Sequence, residues 1–363
     1  MRSTRFTLEL DSPLGTARAE VLERRGWVVG LDPEAHDVPA RGVGEATPLP
    51  GWTESHEDCR AALAAFDDRE TPSGDERGGG SDDRTNDPDL TTPAARHGIT
   101  LARADAAARA DDRSLAALLA DRVGFPEPAV HVPVNATIGD GTPAAAAREA
   151  RRAVDDDYRA IKLKVGAGAL DRDLDRMRAV QREVGPAIEL RADANGAWDR
   201  TTARQALDKL RRMGVSYVEQ PLPAADLRGH QALREELRID LALDESIAEY
   251  GIERILAEEA ADVVICKPMV LGGVVRTLEA ARAAREAGVE PVVTTTIDAA
   301  IARTAAVHVA AAIPDVRPCG LATGSLLRED LVPDPAPVDD GRIEVPTDPG
   351  IAGSTFDEIV FEE

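Results

Sequence analysis

Five strand-like segments, each closing on a charged residue and spaced almost evenly, restrict what this chain can fold into more than any other feature. Segments 160–165, 188–193, 215–219, 239–244 and 262–267 carry Lys164, Asp193, Glu219, Asp244 and Lys267 at or beside their ends, in steps of 29, 26, 25 and 23 residues. That is the period of a strand–helix unit. A parallel barrel of such units gathers the carboxyl ends of its strands around a single mouth, where active sites lie. Lysine, three carboxylates and lysine would then ring that mouth. Lysine is also scarce: the chain has four, Lys162, Lys164, Lys209 and Lys267, among 43 basic residues. Unlike arginine, a buried lysine can lose its proton near neutral pH and act as a base.

Side chains two apart on a strand face the same way, so Lys162 and Lys164 point together, as do Arg191 and Asp193. Three carboxylates from adjacent strand ends make an all-oxygen site suited to Mg²⁺ with positions left for substrate oxygens, and Mn²⁺ accepts the same set. Asp193, Glu219 and Asp244 are the expected ligands. A cation there would stabilise the charge that builds on a substrate carboxylate as its α-proton leaves. A lysine beside a dication and another lysine has its pKa pushed down, which suits it as the base. Each acid also has a plainer reading: Asp193 and Asp244 as turn or helix caps, and Glu219 as a loop ion pair.

With 66 acidic residues, the formal net charge is −23 and the sequence pI about 4.7. Such a surface argues against nucleic acid and against an anionic membrane as partners, and its lysine-poor acidity points to a halophilic protein whose self-repulsion is screened by salt. Cys59, Cys266 and Cys319 share no metal-ligand spacing, so reduced thiols in a cytoplasmic protein are expected. No apolar run is long enough for a bilayer, and the first ten residues alternate like a strand, not a signal peptide. Homo-oligomerisation is left open.

In chain order, strands are expected at Thr4 to Leu10, Arg18 to Arg25 and Trp27 to Leu31, then a Gly/Pro-rich loop at 42–52. Thr53 is the expected N-cap of a helix from Glu54 to about Phe66. The stretch 67–93 has almost no apolar residues and reads as a disordered acidic insertion. Alanine-rich helices at 94–110 and 115–123 complete an α+β capping domain at 1–125. A (β/α) barrel follows at 126–325, with strands from Val130 to Thr137 onward and strand eight near Arg317 to Leu321; a tail at 326–363 returns to the capping domain.

The sequences Lys-Leu-Lys, Arg-Ala-Asp-Ala-Asn, Val-Glu-Gln-Pro, Leu-Asp-Glu-Ser and Cys-Lys-Pro-Met-Val-Leu-Gly-Gly resemble, in this order and spacing, the muconate-lactonizing subgroup of the enolase superfamily. The resemblance spans nearly the whole chain and implies a TIM-like barrel with a capping domain built from both termini. It also implies Mg²⁺ on Asp193, Glu219 and Asp244, with Lys164 and Lys267 as acid/base residues on opposite faces of the substrate and Lys162 behind Lys164. Segment 44–55 and Arg191 are similar to features of the o-succinylbenzoate synthases, lyases that dehydrate 2-succinyl-6-hydroxy-2,4-cyclohexadiene-1-carboxylate in menaquinone biosynthesis.

Where dipeptide epimerases of the subgroup carry Asp-x-Asp, this chain has Pro318-Cys-Gly-Leu-Ala-Thr-Gly324. That stretch offers no acid for an ammonium group and implies a small anionic carboxylate substrate, with the Gly320 backbone as a donor. Leu49 and Trp52 fit either a lid over the substrate or ordinary domain packing, and Thr296 either a substrate contact or a strand lining. Rival activities are N-succinylamino acid racemisation and muconate cycloisomerisation; a barrel kept only for binding is the remaining alternative.

Overall fold

Alternation sets the first sheet: Phe6, Leu8 and Leu10 are buried while Arg5, Thr7 and Glu9 face solvent. The computed structural model describes residues 1–15, 20–70 and 91–361. Strands β1 (Arg2–Gly15) and β2 (Glu20–Leu31) form an antiparallel hairpin whose register shifts between Glu9 and Leu14. The break expected at Arg25 does not occur. Gly26 carries β2 straight through where a Cβ would stand 2.6 Å from the Ala46 carbonyl.

The expected loop at Gly42 is instead strand β3 (Gly42–Ala46), paired with β2 and buried throughout. Its glycines serve close approach: a Cβ on Gly42 would lie 1.9 Å from the Ala102 carbonyl oxygen, and one on Gly44 2.0 Å from that of Gly98. Helix α1 (His56–Glu70) starts two residues later than expected. Ser55 receives the Asp58 amide at 3.1 Å, whereas the Thr53 hydroxyl is taken by the Leu49 amide at 2.8 Å. Helices α2 (Pro93–Ala110) and α3 (Leu115–Val123) follow, and the Glu54 carboxylate caps α2 through the Ala94 and Ala95 amides. Of the stretch expected to be disordered, 71–90 lie outside the described residues. Gly44→Ala should lower stability by about 3 kcal/mol, because the obstacle is a backbone carbonyl with no rotamer to escape into; urea denaturation with an unchanged slope checks this.

The first barrel segment divides at a proline. Pro133 has no amide to donate, and the chain changes partners there, so β4 (His131–Pro133) pairs outward while β5 (Asn135–Ile138) enters the barrel. Strand–helix units follow: α4 (Pro143–Asp155), β6 (Ala160–Lys164), α5 (Leu170–Val184), β7 (Glu189–Asp193), α6 (Arg200–Arg212), β8 (Tyr217–Glu219) and α7 (Leu227–Glu236). After β9 (Asp240–Leu243) come two short helices, α8 (Glu245–Tyr250) and α9 (Ile252–Ala257). Strand β10 (Val263–Cys266) leads into α10 (Pro268–Leu271) and α11 (Val274–Glu286), and β11 (Glu290–Val293) into α12 (Ala300–Ala312).

Strands β5 to β11 are parallel and adjacent in chain order. The curl is closed by two residues: Cys319 bridges Val134 and Gly320 bridges Thr294, both in parallel sense. The fold is therefore a TIM-like (β/α) barrel carrying an α+β layer. Helices lay their apolar stripes on it, as Ala203, Ala206, Leu207 and Leu210 of α6 do. The tail divides between two destinations. Strands β12 (Val338–Asp339) and β13 (Arg342–Glu344) pair back to β4, while helix α13 (Asp357–Phe361) packs on β1 and β2. Among the described residues, no helix is long and apolar enough to cross a membrane.

Candidate active site

Parallel register brings the charged strand ends level: Lys164 of β6 stands beside Asp193 of β7, which stands beside Glu219 of β8. One layer below, Lys162 is level with Arg191 and Tyr217. The Lys164 ammonium lies 2.7 Å from Asp193 Oδ2 and 2.9 Å from Asn195 Oδ1. Lys162 reaches both oxygens of Glu219 at 3.1 Å and Asp193 Oδ2 at 3.2 Å. Across the mouth, Lys267 donates to Asp244 Oδ2 at 2.6 Å. Its ammonium also sits 3.5 Å from the centre of the Trp52 ring, a cation–π contact delivered by the loop after β3. Trp52 is thus brought onto Lys267.

The two β6 lysines differ in access. Lys164 keeps 35% of its side chain exposed and Lys162 only 13%, so Lys164 is the one of this pair that can meet a substrate. Burial works against the Lys162 ammonium, but Glu219 and Asp193 outweigh it and hold its pKa well above the ordinary lysine value. Lys162 is therefore held as a cation against these two carboxylates. Burial likewise works against the Asp193 carboxylate, and Lys164 and Lys162 overcome that, holding it below the usual carboxylate range. Glu219 goes the other way, pushed up to about 7 by burial and by the Asp193 charge. Asp244 is raised to about 6, chiefly by burial, with Lys267 pulling back.

Among the described residues, no group of three His, Cys, Asp or Glu side chains encloses a cation as the side chains stand. The reason is visible in the pairs: each acid is turned onto a lysine ammonium. The donor set nonetheless fits a hard dication. Asp193, Glu219 and Asp244 are buried carboxylates that repel one another, and Glu245 Oε2 beside them is buried without a hydrogen-bond partner. Burial with only partial charge compensation is the condition a divalent cation relieves. The plain capping role considered for Asp244 is not realised, since its side chain makes no cap bond to α8.

Other sequence candidates are placed differently. Arg191 is fully buried below the mouth, paired to Glu189 at 3.1 Å, donating to the Pro318 carbonyl at 2.6 Å and stacked on Tyr217. It braces the barrel interior and does not reach the mouth. The Gly320 amide is committed to the Val293 carbonyl at 2.9 Å, so it has no donor to offer a ligand; a Cβ there would stand 2.5 Å from Thr294 Oγ1. The Thr296 hydroxyl donates to Asp298 Oδ1 at 2.5 Å. Leu49 is half-buried and its carbonyl receives the Trp52 and Thr53 amides, so it closes the turn that carries Trp52.

Two positioning groups were not anticipated. Gln220, at φ 40°, accepts the Asp244 and Ser246 amides through Oε1 at 3.0 and 3.2 Å, tying the Glu219 strand end to the Asp244 turn. Asn195 links Lys164 to Glu245, to which it donates at 3.0 Å. The signals were present in Val-Glu-Gln-Pro and Asp-Ala-Asn-Gly, but amides carry no charge to single them out.

Comparison with known proteins agrees with this architecture. Residues 145–360 match the family described as enolase C-terminal domain-like. The chain is 38% identical over 223 residues to an o-succinylbenzoate synthase of Thermobifida fusca (strain YX), covering 60% of this chain and 67% of that one. It is 28% identical over 261 residues to a chloromuconate cycloisomerase of Pseudomonas sp. (strain P51), covering 71% and 69%. In fold it is similar to the L-Ala-D/L-Glu epimerase from Bacillus subtilis, with a TM-score of 0.83, 23% identity and 96% of each chain covered. On the match across residues 145–360 and the barrel that carries it, this chain belongs to the enolase C-terminal domain-like family.

Proposed function

We propose that the protein is a metal-dependent lyase of the o-succinylbenzoate synthase kind, removing water from 2-succinyl-6-hydroxy-2,4-cyclohexadiene-1-carboxylate to give 2-succinylbenzoate. The observation that carries this is the asymmetry of the two working lysines. Lys164 is a third exposed and faces the mouth, whereas Lys267 is clamped between Asp244 and the Trp52 ring. Dehydration needs one mobile base on one face; racemisation needs two. Likeness to the Thermobifida fusca enzyme supports the same choice.

Lys164, as the free amine, takes the proton α to the ring carboxylate, and the C–H electron pair moves into the ring. The resulting Lys164 ammonium then gives its proton to the departing hydroxyl as the C–O bond breaks, so one water leaves and the ring becomes aromatic. Lys267 stays charged and stabilises negative charge from the far face. Asn195 orients the Lys164 amine, and Lys162 holds Asp193 and Glu219 in place beneath it. Mg²⁺, held by Asp193, Glu219 and Asp244, would supply positive charge for the substrate carboxylate; Mn²⁺ would serve the same donors.

The test is turnover of that diene acid, followed by loss of its absorbance, with MgCl₂ in high KCl and with EDTA. Rapid turnover that EDTA removes is expected. No turnover, combined with α-proton exchange into D₂O on N-succinylamino acids, would move the assignment to a racemase.

A further inference from the structure

Arg24 is 1% exposed, yet its guanidinium makes no hydrogen bond to a carboxylate among the described residues. Instead Nε donates to the Ile297 carbonyl at 3.1 Å, Nη1 to Pro48 at 3.2 Å and Nη2 to Thr47 at 2.8 Å. A planar fork is the side chain that can reach three diverging carbonyls at once. The three belong to two loops that both border the barrel mouth. Thr47 and Pro48 begin the segment that carries Trp52, and Ile297 lies in the turn between β11 and α12.

Both loops are stiff, so what fixes their bases fixes their tips. From 49 to 53 the chain is a closed unit, with the Trp52 and Thr53 amides on the Leu49 carbonyl at 2.9 Å and the Leu49 amide on Thr53 Oγ1 at 2.8 Å. At its start, the Thr47 amide points to Met269 Sδ at 3.5 Å, two residues after Lys267. On the other side, Ile297 holds φ at 60°, a conformation β-branched residues avoid. That backbone aims its carbonyl at Arg24. The same junction is fastened by Glu45 of β3, whose carboxylate takes the Ala299 and Ala302 amides at 2.9 and 2.8 Å and so caps helix α12.

We propose that Arg24 is a positioning residue that registers the Trp52 lid against the β11–α12 turn and thereby sets how the lid closes over Lys267 and the bound substrate. This rests on the lyase reading for its kinetic half only. Arg24 touches neither Lys164 nor the three carboxylates, so its loss should act on substrate capture more than on the proton transfer itself.

The experiment compares wild type with Arg24→Met and Arg24→Lys, after thermal melts show which variants fold. Acrylamide quenching of Trp52 emission, isolated by subtracting the matching Trp52→Phe backgrounds, reads the lid without substrate. Arg24→Met should raise the Trp52 quenching constant at least threefold, and raise KM at least tenfold with kcat within threefold. Arg24→Lys, which keeps the charge but cannot span three carbonyls, should fall between. If Arg24→Met does not fold, Arg24→Lys decides by the same two readouts. Wild-type quenching in a folded variant overturns the proposal, as does a loss confined to kcat. Should wild type fail to turn over the diene acid, the lyase assignment falls while the quenching comparison still judges Arg24.

Discussion

Lys164→Met is expected to lower turnover by about 10³- to 10⁴-fold and leave the fold intact. General-base catalysis contributes on that scale when the base is a single positioned group, and Lys164 is the accessible lysine of its pair. The fold should survive because Asp193 keeps Lys162 at 3.2 Å and the Asn195 amide at 3.1 Å after Lys164 is gone. Steady-state turnover alongside a thermal melt separates the two effects. Retention of more than a tenth of the activity would mean that another group takes the proton.

Glu219→Gln should abolish metal-dependent activity and, in the same protein, flatten the pH dependence of the metal-free form's stability between about pH 4.5 and 7. Glu219 has its folded pKa raised from 4.5 to about 7 by burial and by Asp193. A carboxyl raised in this way contributes stability that is fully present below its unfolded pKa and lost as pH rises through the folded one. Metal-free wild type should therefore weaken between about pH 4.5 and 7, by on the order of 2–3 kcal/mol from this group. The amide variant should lack that loss. Saturating MgCl₂ should stabilise wild type by about 2–4 kcal/mol through binding to the folded state alone and leave Glu219→Gln unmoved. Calorimetric melts across pH, with EDTA and with MgCl₂, provide the measurement; equal magnesium stabilisation of both proteins would remove Glu219 from the ligand set.

The barrel was legible because its two signals are periodic. Spacing of charged strand ends gave the unit length, and the two-residue alternation within each strand gave which side chains share a face. Lys162, Lys164, Asp193, Glu219, Asp244 and Lys267 were readable as a set because register follows from counting once the strands are parallel. Trp52 was readable only as one of two uses, and its ring contact with Lys267 could not be read from the sequence, because the two lie 215 positions apart.

What escaped was whatever depends on distant packing. Strand β3 looked like a loop because Gly42 and Gly44 are there for the backbone of α2, which begins some fifty residues later. Arg191 shares a face with Asp193 but lies one layer deeper, and a two-residue alternation gives direction without depth. The Gly320 amide was not free for a ligand because the eighth strand is only two bridging residues long and needs it to close the barrel.

The N-terminal sheet also has a consequence for synthesis on the ribosome. Phe6, Leu8, Leu10, Val28 and Val43 share one apolar cluster with Ile297, Leu327, Phe356 and Val360. Translation at about 5–20 residues per second leaves the first hairpin waiting roughly 15–60 s for those partners to emerge. Throughout that interval the nascent chain exposes an apolar sheet face and two unpaired strand edges, a template for pairing with neighbouring chains. The barrel segments can assemble progressively behind it, but this sheet finishes packing only after Phe356 and Val360 have emerged. Until helix α13 emerges, the excess of negative charge on the chain is what opposes such pairing.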